Sequence, residues 1–153
     1  MSLAITIRPA HENELPEVLR LWQEAGVTPP SVTDSIEGLT GLIQEPGAIL
    51  LVAVIDGRIA GSVIGGWDGW RGNIYRLAVA PEYRRRGVAR RLVEDISNAL
   101  FDKGAHRLSA LVEHEHQWAI GFWESVRDLG YEHDPRFVRY IADRGAAKTQ
   151  QAR

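Results

Sequence analysis

A basic turn concentrates the chemistry of this chain. In Leu77-Ala-Val-Ala-Pro81-Glu-Tyr-Arg84-Arg-Arg-Gly87-Val-Ala89-Arg90, a strand-like run stops at Pro81, three arginines follow, and an amphipathic helix begins near Arg86. Gly87 and Ala89 leave almost no side chain over the first helical turn. Free backbone N–H groups there, backed by the positive end of the helix dipole, suit a diphosphate. The arginines add charge at the same spot. The spacing lacks the Lys-Ser/Thr ending of a Walker A loop and the Gly-x-Gly-x-x-Gly of a dinucleotide fold. It reads as a phosphate cradle at a strand-to-helix junction.

A second set of residues has proton-handling chemistry. Tyr75 lies on the strand leading to the cradle, and alternation sets it on the face of Leu77 and Val79. Asp68 sits in a Gly-Trp-Asp-Gly loop, while Glu113, His114, Glu115 and His116 run consecutively. The two histidines suit a base, and the Glu-His-Glu-His spacing also admits a metal. Each has a plainer use: Tyr75 as a half-buried strand residue, Asp68 as a turn former, the acidic pair as solvated loop.

The elements that must position these groups follow from periodicity. Ala4–Arg8 alternates and predicts a strand; Asn13–Ala25 sets Leu15, Val18, Leu19 and Trp22 on one helical face. Gly26 ends that helix and Pro29-Pro30 prevents its restart. Asp34 is placed to cap a second helix reaching about Gln44, before Pro46-Gly47. Ala48–Ile55 predicts a buried strand, Asp56-Gly57 a tight hairpin turn, and Arg58–Trp67 its partner. Asn73–Val79 is the strand into the cradle. The helix beyond carries Val88, Leu92, Val93, Ile96 and Leu100 on one stripe and stops at Gly104. A strand at His106–Val112, a helix at Gln117–Leu129 and a last strand at Arg136–Ala142 complete the order, with a tail from about residue 145 expected to fray.

The 153 residues, without repeat or linker, predict one domain spanning 1–153. A 44% hydrophobic, 25% charged composition is that of a globular chain, and a net charge of −2 supplies no global field toward nucleic acid or anionic lipid. The absence of cysteine excludes disulfides, thiolate metal sites and a cysteine nucleophile. The longest apolar run, Ala48–Ile55, is far below the ~18 residues a membrane helix needs. A cytoplasmic location is the default expectation.

Arg84-x-x-Gly87-x-Ala89 resembles the Arg/Gln-x-x-Gly-x-Gly/Ala signature of the GNAT acetyltransferase superfamily, and Leu77-x-Val79-x-Pro81 resembles that family's fourth strand. The order β-α-α-β-β-β-α-β-α-β is also the family's, so the resemblance covers roughly Ile5 to Asp143. The phrase Gly65-Gly-Trp-Asp-Gly-Trp-Arg-Gly72 is similar to a loop of a little-characterised bacterial branch. The Arg-Arg-Gly run is similar to that of the enzymes that acetylate protein N-terminal alanines. The resemblance implies an α/β (α+β) fold with a central mixed, mostly antiparallel sheet flanked by helices. It implies an N-acetyltransferase that passes an acetyl group from acetyl-CoA to a primary amine by direct attack in a ternary complex, without a metal.

Carried onto this sequence, the resemblance gives the bulged strand residues Leu77, Ala78 and Val79 to the pantetheine arm, with the Val79 N–H near the thioester carbonyl. Arg84 takes the first signature position, and the amides of Arg85, Arg86, Gly87, Val88, Ala89 and Arg90 face the pyrophosphate. His116 stands where the family often has an asparagine near the cofactor. Three departures concern the chemistry: Asn73 and Leu111 occupy positions where relatives carry a glutamate, and Trp123 replaces the usual tyrosine acid. Tyr75, Glu113 and Asp68 are then the candidates for proton transfer. Trp67, Trp70, Trp118 and Trp123, with Asp68 and Glu113, suggest an aromatic-acidic pocket for a cationic amine. The acceptor is expected to be a small-molecule amine or a peptide N-terminus, and a homodimer is possible. Competing readings are an acyl-CoA-binding module with weak or lost catalysis and, less consistent with the charge balance, a nucleic-acid binder.

Overall fold

A computed structural model describes residues 4–27, 31–113 and 116–145. Strands β1 (Thr6–Pro9), β2 (Ala48–Ile55), β3 (Arg58–Trp67), β4 (Gly72–Val79) and β5 (Leu108–Ala110) form one sheet in sequential order. The first three junctions are antiparallel and β4–β5 is parallel. Helices α1 (Leu15–Ala25) and α2 (Ile36–Gln44) cover one face, α3 (Val88–Lys103) covers the other, and α4 (Gln117–Ser125) follows β5. This is the mixed, mostly antiparallel α/β architecture expected.

The hairpin between β2 and β3 turns on Asp56 (φ 49°) and Gly57 (φ 74°), a pair of left-handed residues whose twist matches the flanking strands. On the α3 face, Val88, Leu92, Val93, Ile96 and Leu100 are buried as the stripe predicts. Each contributes roughly 1.5–3 kcal/mol on burial. Close packing is possible because β3 offers glycines there. A Cβ on Gly61 would lie 3.0 Å from Leu92 Cδ1, and one on Gly65 2.7 Å from Ile96 Cδ1. Helix α3 is thereby a rigid base for the turn that precedes it.

Several local expectations are corrected. The first helix is preceded by a 3-10 turn, Glu12–Glu14, and buries Leu21 and Ala25 with Leu15, Val18 and Trp22, while Leu19 is only partly covered. Ser35, not Asp34, caps α2, its hydroxyl accepting from the Gly38 N–H at 2.9 Å. The strand expected at His106–Val112 shortens to Leu108–Ala110, because β4 bulges after its last pairing with β5, Ile74 to Ala110. The expected helix Gln117–Leu129 is α4 plus a separate 3-10 turn at Arg127–Leu129, ended by Gly130 at φ 96°. No strand forms at Arg136–Ala142. Arg136 is folded back locally, donating its N–H and guanidinium to Asp134, and Phe137, Val138, Tyr140 and Ile141 are exposed. The expected tail lies mostly outside the described residues.

Candidate functional site

The β4–α3 junction is built from backbone. After Val79 the chain makes a 3-10 turn over Pro81–Tyr83, extends at Arg84, and takes left-handed conformations at Arg85 (φ 64°) and Gly87 (φ 81°). The first α3 bond runs from the Arg91 N–H to the Gly87 carbonyl at 3.1 Å. Among the described residues, the amides of Arg85, Arg86, Gly87, Val88, Ala89 and Arg90 meet no protein acceptor. They form a concavity of N–H groups backed by the dipole of a sixteen-residue helix, an arrangement whose chemistry suits an anion. The space above Gly87 is open, with nothing within 4 Å of where a Cβ would stand. The junction borders a cavity of about 400 Å³, whose opposite wall is Trp118, Gly121 and Phe122 of α4.

The arginines divide by role. Arg84 turns inward: its Nη2 donates to the Ala25 carbonyl at 2.8 Å, its Nε to the Val79 carbonyl at 3.3 Å, and its guanidinium lies 4.8 Å from the Trp118 ring centroid. It ties the end of α1, the end of β4 and the start of α4 together. Arg90 is held by Asp128 and by Glu94, the latter at 3.0 Å, and these carboxylates raise its pKa. Arg85 and Arg86 are exposed at the rim, with Arg86 over the Tyr83 ring. Of these two, Arg85 lines the cavity, as the internally paired Arg84 and Arg90 also do.

The strand below is bulged. Ile64 pairs with Tyr75 and Ser62 with Ala78, so β4 carries one residue more than β3 between those pairs, and Arg76 takes φ 52°. This corrects the expected alternation. Ile74, Leu77 and Val79 pack toward α3, whereas Tyr75, opposite Ile64, shares the α1–α2 face with Ala78. The Ala80 N–H bonds to the Ala60 carbonyl, so the next pair, Gly61 and Val79, is the non-bonded kind and the Val79 N–H points away from β3. On that side β5 has already ended. Leu77–Val79 therefore run past the end of the β4–β5 ladder, and Val79 borders the cavity.

The remaining sequence candidates scatter. Asp68 stands in the β3–β4 hairpin, at the opposite end of β4 from the cradle, and accepts from the Trp70 and Arg71 amides at 2.8 Å each. The Arg71 amide first, then that of Trp70, holds its carboxyl below the usual range. Tyr75 is 41% exposed. Glu113 is exposed on the loop after β5. His116 caps α4, its Nδ1 accepting from the Ala119 N–H, and its Nε2 lies 3.1 Å from the Gly26 carbonyl, outside the cavity lining. His114 and Glu115 lie outside the described residues. Asn73 is a ladder residue between Gly66 and Ser109.

The four tryptophans do not assemble into the expected pocket. Trp67 packs beside Gly104, Trp70 is 71% exposed with Arg71 over its ring, Trp118 stacks on Phe122, and Trp123 meets Tyr131 edge-on at 5.1 Å. Tyr131 hydrogen-bonds Ser97 of α3 at 2.6 Å, and burial pushes its pKa up. Of the α4 wall, the sequence singles out Trp118 alone; Gly121 and Phe122 share its helical face by their spacing.

The comparisons with known proteins agree with this architecture. The profile of the Acetyltransferase (GNAT) family matches residues 13–131. An acetyltransferase of Yersinia pestis is 33% identical over 120 residues, covering 78% of this chain and 84% of that protein. The N-acetyltransferase PaiA of Thermoplasma acidophilum, solved in complex with coenzyme A, superposes with a TM-score of 0.73 at 17% identity, over 81% of this chain and 89% of that one. An aminoglycoside acetyltransferase from an uncultured soil metagenomic sample gives 0.69 at 21% identity, over 90% and 97%. The structural likenesses speak for the fold; the profile and the Yersinia relative identify the lineage, and this chain belongs to the GNAT family of acetyltransferases.

Proposed function

We propose that this protein transfers the acetyl group of acetyl-CoA to a primary amine by direct attack in a ternary complex. The run of unpaired amides at Arg85–Arg90, opening on the 400 Å³ cavity, carries the reading. These amides, with Arg85 and Arg86 at the rim, fit a diphosphate, and Gly87 leaves room for it to approach the main chain. The pantetheine arm runs along the free edge of Leu77–Val79, which brings the thioester carbonyl to the Val79 N–H.

The chemistry follows from that placement. The amine nitrogen attacks the thioester carbonyl carbon, negative charge develops on its oxygen, and the Val79 N–H donates to it. The C–S bond then breaks, the thiolate of CoA leaves, and the surplus proton of the new amide passes to it or to solvent. Tyr75 is the first group we assign to relay that proton, its phenol protonating the thiolate and regaining the proton of the new amide. Glu113 is the second. Asp68 is committed to its turn. Orientation alone supplies up to ~7–11 kcal/mol in well-aligned reactions, so a dedicated acid is dispensable if the amine arrives neutral.

A small-molecule amine is the acceptor favoured here, because the structural neighbours include aminoglycoside acetyltransferases. A peptide N-terminus is the second. The test is an acceptor screen with a free-thiol readout, setting amine libraries against N-terminal peptides. Thiol release with one amine class supports the proposal. Tight acetyl-CoA binding without turnover on any amine favours instead an acyl-CoA-binding module, the reading that Asn73, Leu111 and Trp123 would explain.

A further inference from the structure

We propose that Asp34 and Arg76 form a latch that sets the β4 bulge and thereby aims the Val79 amide; this rests on the acetyl-transfer reading above. Arg76 holds a left-handed φ of 52° at the bulge. Glycine takes that conformation freely, whereas arginine takes it only when its surroundings fix it. The anchor is visible. Asp34 Oδ2 lies 2.6 Å from Arg76 Nη2 and Oδ1 lies 3.3 Å from Nε, with the two side chains 11% and 17% exposed. Asp34 Oδ2 also accepts from the Ser31 N–H at 2.9 Å, so the pair binds the connection between α1 and α2 to the bulge.

The guanidinium also lies over the Trp22 ring, and Trp22 Nε1 donates to Ser62 Oγ at 2.9 Å in the core. Ser62 is the β3 residue opposite Ala78, at the far side of the bulge. Helix α1, the α1–α2 connection and β3 therefore converge on Arg76, three residues before Val79. The bulge leaves the Val79 N–H pointing away from β3, so a bulge that relaxes toward regular pairing rotates or withdraws that donor. Arg76 and Asp34 touch no reacting atom; they are positioning residues. They also link the connection between α1 and α2 to the donor that meets the carbonyl.

Three variants test this in the full chain. Arg76→Gly removes the anchor while tolerating the backbone conformation, Arg76→Lys keeps a point charge, and Asp34→Asn removes the partner charge without changing size. In the ¹⁵N-labelled protein without ligand, the Val79 amide resonance is expected to move in Arg76→Gly and Asp34→Asn and to stay near its original position in Arg76→Lys. With substrate, kcat should fall about 10–100-fold in Arg76→Gly. The Kd for acetyl-CoA should change by less than kcat does, by no more than about tenfold, since the cradle amides are untouched while the Leu77–Val79 edge shifts, and Arg76→Lys should recover most of the rate. An unmoved Val79 resonance in both Arg76→Gly and Asp34→Asn overturns the latch, as does a loss shared equally by kcat and acetyl-CoA affinity. If the original protein binds no acetyl-CoA, the acetyl-transfer reading falls, and the Val79 resonance still decides whether the latch exists.

Discussion

At the β4–α3 junction the groups facing the cavity are main-chain amides, whereas beyond β5 they are side chains carried by a short helix and irregular chain. The first region takes its shape from the α3 packing stripe and from left-handed turns at Arg85 and Gly87. The second depends on individual contacts, such as His116 capping α4, Trp123 against Tyr131, and Tyr131 on Ser97. Backbone sites are dictated by where small residues and helix starts fall. Side-chain sites can be rewritten one residue at a time without disturbing the fold.

The comparison is broken most severely at Gly87. Replacing it by Trp forces an L residue into a left-handed turn, costing roughly 1–2 kcal/mol, and puts an indole over the amides. Acetyl-CoA affinity measured by calorimetry should drop at least about a hundredfold while circular dichroism retains the helical signal. Unchanged affinity would mean that the phosphates are held elsewhere.

Arg84 joins the two regions, so its loss should register in both. Arg84→Ala removes charged donors from the Ala25 and Val79 carbonyls and a cation from Trp118. About 2 kcal/mol of stability should disappear in urea titration, with acetyl-CoA affinity falling by roughly tenfold. A variant as stable as the original would show that these contacts are not needed to hold α4.

Tyr75 and Asp68 bear on proton transfer rather than on the cradle. Tyr75→Phe is expected to lower kcat about tenfold, within the lower range for proton transfer, and Asp68→Asn by less than about twofold, since its carboxylate serves the hairpin turn. If Tyr75→Phe, Asp68→Asn and Glu113→Gln each cost less than about tenfold, the rate comes from positioning alone.

The smallest effect lies away from both regions. The Arg8 guanidinium, then the His11 amide, hold the Glu14 carboxyl at about 2, down from 4.5. A carboxyl whose folded pKa is depressed stabilises the fold above its unfolded value, and that contribution is lost as pH falls from about 4.5 toward 2. Glu14→Gln should therefore be less stable than the original protein near neutrality, by about 1 kcal/mol or less. The gap should close in urea titrations run at progressively lower pH. A constant gap would show that the pair contributes nothing through charge.

The division between legible and illegible parts follows the same physics. The strands Ala48–Ile55 and Arg58–Trp67, the Asp56-Gly57 turn and the α3 stripe are local patterns, and the structure has each of them. The cradle was legible because glycine and a helix start advertise free amides. Alternation alone puts Tyr75 on the wrong face, because a bulge adds a residue without any local signature and arginine is an unexpected residue for the left-handed position 76. Asp34 looks like a cap in its local sequence because its partner lies 42 residues away. The segment Arg136–Ala142 is rich in the aromatic and β-branched residues of a strand, yet β5 offers only three residues of ladder.

The proposed grip on the cofactor is made by main-chain nitrogens, so their own resonances report it. In a ¹⁵N-edited titration with coenzyme A, saturable shifts are expected at Arg85 through Arg90 and along Leu77–Val79, with the β3–β4 hairpin around Asp68 unmoved. Saturable shifts that leave Arg85–Arg90 untouched and cluster elsewhere would contradict it.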